Sequence, residues 1–372
     1  MKSKFLLPFL ILLFFSFNTF AQVANTGMVE EMDSVDIGKI VLSGYIDVYY
    51  GHDFNVSPNS DRPYAVCSAR NNEVNINLAY LGVSYANEKI RARFIPGFGT
   101  YMNANYTAEA GSLRSIVEAN AGVLLSKKRE LWLDIGVFGS PYTNETIISK
   151  DHLMYTRSLG AEYVPYYLTG AKLSMPLSKK LTGYLYLLNG WQHIIDNNNA
   201  VSIGTQIEYR PNKKLLINWN TYAGDESAAI TPNFGMRYFT DVYAIYNPNG
   251  KFSFTSCVYS GAQQIHSAGA TDTYAYWWNA NFIAKVQLSK TTSLSARAEY
   301  FSDEKKVMVT PITNANKFTL GSAGACFNVK ITKNALFRLE HRYFFSQNSV
   351  YLRNSNPTKS NHLAIGSLTV WF

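Results

Sequence analysis

Fifteen charged side chains sit on the polar phase of segments whose other phase is apolar, and they are the first candidates for chemistry. Lys89, Arg91 and Arg93 alternate with Ile90, Ala92 and Phe94. Glu208 and Arg210 alternate with Ile207 and Tyr209, and Arg297 and Glu299 with Ala296, Ala298 and Tyr300. Arg338, Glu340 and Arg342 alternate with Phe337, Leu339 and Tyr343. Asp47, Asp134, Arg237, Asp241 and Lys285 complete the set, so nine cations stand against six anions. A period of two places successive side chains on opposite faces of a strand. If many strands turn this face toward one space, the space is charged. Rings of Arg and Lys favour anions there, and rings of Asp and Glu favour cations. The plainer reading is an ion-pair lattice that ties strands together and selects nothing.

Catalysis and metal binding have less behind them. A hydrolase needs a nucleophile with a base in hydrogen-bond reach. His52, His152, His193, His266, His341 and His362 are scattered, and only Asp151-His152 and His266-Ser267 put partners side by side. Neighbours on a strand point to opposite faces, so these pairs are what chance provides. No two His lie at i,i+2 on one strand, and Cys67, Cys257 and Cys326 are far apart, so neither a metal site nor a cofactor is expected.

The elements that would position the charges are all strands. Sixteen alternating segments can be marked: 39–53, 73–86, 88–103, 115–126, 129–139, 165–176, 179–190, 200–211, 213–224, 235–248, 250–264, 274–289, 291–303, 316–330, 333–346 and 361–372. Segments 74–85, 181–190 and 318–329 do not hold one phase. Seven very short connections alternate strictly with eight long ones, and every short one carries or adjoins Lys. Only 16% of residues are charged and 15% are aromatic, which excludes a disordered chain and a coiled coil. The formal net charge of +8 is not gathered into any basic cluster longer than three residues, so nucleic acid is not an expected partner.

Lys2 and Lys4, the apolar run Phe5–Phe17 and the Thr19-Phe20-Ala21 site read as a signal peptide over 1–21, cut near Ala21. Residues 22–38 read as an acidic periplasmic extension and 39–372 as the folded unit. No later stretch approaches 18 uninterrupted apolar residues, which excludes a membrane helix but not a membrane barrel. Short turns at one end and long loops at the other are the layout of an outer-membrane barrel. A soluble sandwich also alternates, but its turn lengths do not. Aromatics crowd the strand ends at Tyr49-Tyr50, Tyr166-Tyr167, Trp191, Trp277-Trp278 and Phe344-Phe345, as in an interfacial girdle. The expected fold is therefore all-β: a transmembrane, antiparallel, up-and-down barrel of about sixteen strands. Its short turns would be periplasmic and its long loops, including 54–72, 140–164 and 347–360, surface-exposed.

Several segments add family character: Ser43-Gly44-Tyr45-Ile46-Asp47, Gly136-Val137-Phe138-Gly139-Ser140-Pro141 with Glu145, and Tyr155-Thr156-Arg157-Ser158. Pro165-Tyr166-Tyr167 with Thr169-Gly170, and Asn189-Gly190-Trp191-Gln192, are the more specific. With these the chain resembles the outer-membrane β-barrel porins described as beta-barrel porin-2, OmpL-like, of Bacteroidetes-type bacteria. The resemblance implies a barrel and a pore but no particular solute. The terminal strand, with Val370 and Phe372 on one face, resembles the signal read by the barrel-assembly machinery.

The expected function is a Gram-negative outer-membrane channel for passive diffusion of small hydrophilic solutes, with a mild anion preference, and not an enzyme. Its other partners would be outer-membrane lipids. An oligomer contact wall reads like a lipid-facing one, which leaves room for a homo-oligomer. The alternatives are a structural or adhesive barrel without an open pore, or, behind it, a barrel hydrolase. Arg91 and Arg93 have no acid on their own strand's polar face, so they are the expected source of uncompensated positive field. Loop 140–164 either folds inward to narrow the pore or caps its mouth. The turn lysines either meet phospholipid phosphates at the rim or merely suit solvated turns.

Overall fold

The computed structural model describes residues 38–372 except 57, 58, 249, 268 and 270. The signal segment 1–21 and all but the last residue of the extension 22–38 lie outside the described residues. Sixteen strands close into one antiparallel barrel. They are β1 (Lys39–Asp53), β2 (Val74–Ala86), β3 (Ile90–Phe98), β4 (Ile116–Ser126), β5 (Leu131–Gly139), β6 (Tyr167–Ser178), β7 (Leu181–Leu188) and β8 (Ser202–Asn212). They continue with β9 (Leu215–Asp225), β10 (Phe234–Tyr246), β11 (Phe252–Ile265), β12 (Thr273–Gln287), β13 (Thr292–Asp303), β14 (Phe318–Thr332) and β15 (Ala335–Phe345). A small hairpin, β16 (Tyr351–Arg353) and β17 (Asn356–Thr358), decorates the last long connection before β18 (Ser360–Trp371). Each of the sixteen barrel strands pairs with the barrel strands before and after it in sequence, β15 with β18, and β18 returns to β1.

Closure leaves no open edge. Tyr45 stands opposite Trp371, and Gly44 and Phe372 exchange both backbone hydrogen bonds at 3.0 Å. The Phe372 ring covers Gly44, where any Cβ would lie 2.2 Å from it. Val370 and Phe372 are exposed on the outer wall with Leu368. The outer wall is mainly apolar, with Leu81, Phe94, Ile135, Trp219, Val258 and Leu339 all exposed. That is the surface a bilayer would cover.

Two expectations are corrected here. The strand drawn over 88–103 ends at Phe98, because Gly99 turns the chain at φ +133 into the short helix α1 (Thr100–Asn105). Lys89 does not face the interior. It is exposed in the turn, where its backbone N–H donates to Asn87 Oδ1 at 2.9 Å. The segments without one phase also find their reasons. In 74–85 the register shifts at Asp47/Val48, which swings Asn77 inward to Asp47. In 181–190 and 318–329 the inward side chains are themselves apolar: Tyr184, Tyr186 and Leu188, and Phe318 and Leu320.

A pair of glycines allows close backbone approach where β4 to β7 run side by side. Gly136 lies opposite Gly170, with φ +130 and +148. A Cβ would sit 2.2 Å from Ala119 O at the first and 2.0 Å from Leu187 O at the second. Gly136→Val should cost about 1–3 kcal/mol of backbone strain and lower the temperature at which the folded, fast-migrating band is lost in electrophoresis. Gly366→Ala, whose Cβ meets nothing nearer than 3.8 Å, should leave that temperature unchanged.

Candidate functional site: the barrel interior and its inserted loop

Loop 140–164 leaves β5 and turns into the barrel, and none of its 25 residues is exposed. This settles the two readings of the loop and corrects the expectation that it lies on the surface. A chain segment inside a barrel keeps its backbone N–H and C=O groups away from water. Each must find a partner or cost about 1–3 kcal/mol. Apart from a three-residue turn at Ser149–Asp151 and the single helical turn α2 (Leu159–Glu162), the loop has no regular structure to supply them. The wall supplies them instead.

Carboxylates of the wall accept the loop's N–H groups. Asp241 accepts from Thr143 at 2.6 Å, and Glu340 from Tyr155 and Thr156 at 2.8 and 3.0 Å. Glu299 accepts from Leu159 at 2.6 Å. Arginines of the wall donate to its carbonyls. Arg338 bonds Ser149, Met154 and His152 at 2.6, 3.1 and 3.3 Å. Arg297 and Arg342 converge on the single carbonyl of Arg157 at 2.9 and 2.8 Å. They can do so because they flank Gly324 across β14 and no side chain stands between them. Glu299 ties this pair together, with Arg342 bonded directly and Arg297 at 3.7 Å. Within the loop Glu145 accepts from the Ser158 N–H at 2.6 Å and lies 3.6 Å from Arg297. Asp47 reaches Thr369, Asn77 and Tyr155.

Aromatic packing holds the loop's entry. Tyr142 lies flat on Trp191 at 5.7 Å between ring centres. Arg237 sits 5.3 Å from the Trp191 ring and 5.7 Å from that of Trp277, and donates to Gln263 at 2.8 Å. Gln192, next to Trp191, accepts from the Tyr166 N–H at 2.6 Å. The first long loop closes over the top, with Ser68 Oγ donating to Tyr155 and the Val66 N–H to Glu162. In that loop burial pushes the Cys67 thiol well up, away from the reactive thiolate.

A second group of inward charges is only partly covered. Arg91 donates to Asp134 at 2.6 Å, stacks 4.3 Å from Trp132, and shares Asp134 with Lys172 at 3.6 Å. Gly122 lies between them on β4, and a Cβ there would come within 2.3 Å of Asp134 Oδ1. Arg93 pairs with Glu118 at 3.0 Å, its side chain still 42% exposed. The uncompensated field expected on β3 is therefore corrected: the balancing acids come from β4 and β5, across the sheet rather than along the strand. Arg210 pairs with Glu208, Lys150 of the loop with Asp151 at 2.8 Å, and Lys285 is half-buried. Periodicity missed Glu118, Lys172 and the anchoring role of Glu145. The bulged register of β4 hides the first, and a loop has no period.

The residues weighed for catalysis are dispersed. Asp151 is taken by Lys150, the His152 carbonyl by Arg338, and His266 Nδ1 meets Asp272 Oδ2 at 2.9 Å on an exposed connection. No group of three or more metal-ligating side chains forms among the described residues.

Residues 39–372 match the family model described as "Putative beta-barrel porin-2, OmpL-like". The chain belongs to that family. It is a porin-like channel of the outer membrane. A search of curated proteins gave no significant match. Among solved structures the porin-like chain is similar in fold to the anion-selective porin from Comamonas acidovorans, at 9% identity and a TM-score of 0.59, covering 90% of this chain and 100% of that one. It is also similar to the outer membrane channel DcaP of Acinetobacter baumannii, at 8% identity and a TM-score of 0.61, covering 92% and 99%. A third is the trimer form of the outer membrane protein OmpT of Vibrio cholerae, at 10% identity and a TM-score of 0.58, covering 91% and 100%.

The anchoring reading makes a direct prediction. Arg338→Ala strips three carbonyls of their donor, and each buried carbonyl left unpaired costs about 1–3 kcal/mol. The barrel should still form, but 149–154 should become cleavable by added protease, with no cleavage there in the parent protein.

Proposed function

We propose that this porin-like barrel is a passive diffusion channel for small hydrophilic solutes, with loop 140–164 as its constriction and a mild preference for anions. The observation that carries the proposal is the division of the interior charges. Deep ones such as Arg297, Arg338, Arg342, Glu299 and Glu340 are at most 7% exposed and are spent on the loop. Those with partial access to water are Arg91, Arg93, Lys150, Lys172, Arg210 and Lys285; the acids they pair with are Glu118 and Asp151, also partly accessible, and Asp134 and Glu208, which are buried. Six cations against four anions leave a small positive excess, which favours anions. The similarity to an anion-selective porin agrees in direction. In this reading the short turns are periplasmic, the long loops face outward, residues 1–21 are removed on export, and Val370 and Phe372 form the assembly signal. It is a channel without catalysis, and similarity to a trimeric barrel supports a homo-oligomer.

A barrel with a structural role and no open pore is the second reading. Interior packing favours it, since Trp277, Phe301 and Phe318 are wholly buried. Planar-bilayer conductance separates the two. The purified protein should conduct, and deleting Tyr142–Tyr163 should raise single-channel conductance several-fold. A folded barrel silent both before and after the deletion would overturn the channel. Arg93→Glu with Lys150→Glu should shift the reversal potential in a salt gradient toward cations. That shift should shrink at 1 M salt, where the Debye length falls to about 3 Å from about 10 Å at 0.1 M. A reversal potential indifferent to the double change would overturn the anion preference.

A further inference from the structure

The two ends of the barrel differ in charge far more than the interior does. The seven short connections hold eleven basic side chains and two acidic ones, Glu88 and Glu130. The eight long connections hold ten of each sign. Every short connection contributes at least one Lys: Lys89, Lys127, Lys179, Lys213, Lys251, Lys290 and Lys333 in turn around the barrel, all exposed. Among the described residues one ion pair falls within this set, Lys127 with Glu88 at 3.1 Å. The positive charge is thus a closed collar directed at solvent, not a network within the protein.

What lies beside the collar indicates its partner. A few residues into the strands the outer wall carries exposed aromatics: Tyr209, Phe252, Phe254 and Phe337. Lys251 Nζ lies 5.8 Å from the Phe252 ring. Aromatic rings at the edge of an apolar wall mark the membrane interface. Cations one step beyond them stand at the level of lipid phosphates, where each can gain a partner. An acidic soluble protein would need no aromatic belt, and free phosphate would need converging donors rather than a ring spread around the whole circumference. We propose that the short-turn rim is a collar that binds the phosphates of anionic membrane lipids and fixes the barrel's height in the bilayer. The proposal rests on the outer-membrane reading and is independent of whether the pore conducts.

Electron spin resonance of spin-labelled phosphatidylglycerol and phosphatidylcholine in reconstituted bilayers tests it. The fraction of each lipid immobilised on the barrel gives their relative association. Phosphatidylglycerol should be favoured several-fold at low salt, with about fivefold the ceiling for one lysine contact, and the preference should approach unity at 1 M salt. Six substitutions on adjacent turns, Lys179→Gln, Lys180→Gln, Lys213→Gln, Lys214→Gln, Lys251→Gln and Lys290→Gln, should remove at least half of it. Heat-modifiable migration and conductance should stay as in the parent. If that variant does not fold, Lys213→Gln with Lys214→Gln should show a smaller loss in the same direction. Equal association of the two lipids with the parent protein, or an undiminished preference in a folded variant, would overturn the collar. So would its abolition by inorganic phosphate at constant ionic strength, which would assign the site to the free ion.

Discussion

The rest of the interior depends on one constraint: a buried backbone must be hydrogen-bonded. Twenty-five residues of largely irregular chain enter the barrel between β5 and β6, and water cannot serve the buried majority of them there. Net gains from ordinary hydrogen bonds are about 1 kcal/mol, but leaving groups unpaired costs more, and bonds to charged partners are worth about 1.5–3 kcal/mol. The wall answers with ionised groups. Arg338 takes three carbonyls, Arg297 and Arg342 share a fourth, and Asp241, Glu299 and Glu340 take the N–H groups of Thr143, Tyr155, Thr156 and Leu159. Three of these six charges, Arg297, Arg342 and Glu299, also meet an opposite charge.

This changes what an inward charge means in this barrel. Alternation sends Arg297, Arg338, Arg342, Glu299 and Glu340 to one face, which is buried, while the opposite face is apolar and exposed. It cannot say whether they meet water or protein. Here they meet a loop. Other inward charges keep partial contact with water, and one of them, Arg91, is balanced across Gly122 by Asp134. A glycine on the intervening strand is thus as much a part of the electrostatics as the pair it separates.

The fold was legible in the sequence to within a few residues, since β1 (39–53) rests on period-two alternation and turn spacing, which act locally. Where a strand lost its phase, as over 181–190 and 318–329, the reason is tertiary: an interior packed with Tyr184, Tyr186, Phe318 and Leu320 makes both faces apolar. Lys89 was misplaced because a turn residue keeps the parity of the strand it precedes. The candidate site was half legible. Its wall residues could be named, but their partners could not, because the contact between Arg342 and the Arg157 carbonyl spans 185 residues and leaves no periodic trace.

Hydrogen exchange read at single amides would test the central claim most directly, in the folded barrel in detergent or bilayer. The N–H groups of Tyr155, Thr156, Ser158 and Leu159 each end on a buried carboxylate. They should be protected to the degree of the strand amides of β13 and β15. Exchange of those four at the rate of exposed amides such as those of Ala229 and Ile230 would contradict the account, because the charges of the wall would then be holding something other than the loop.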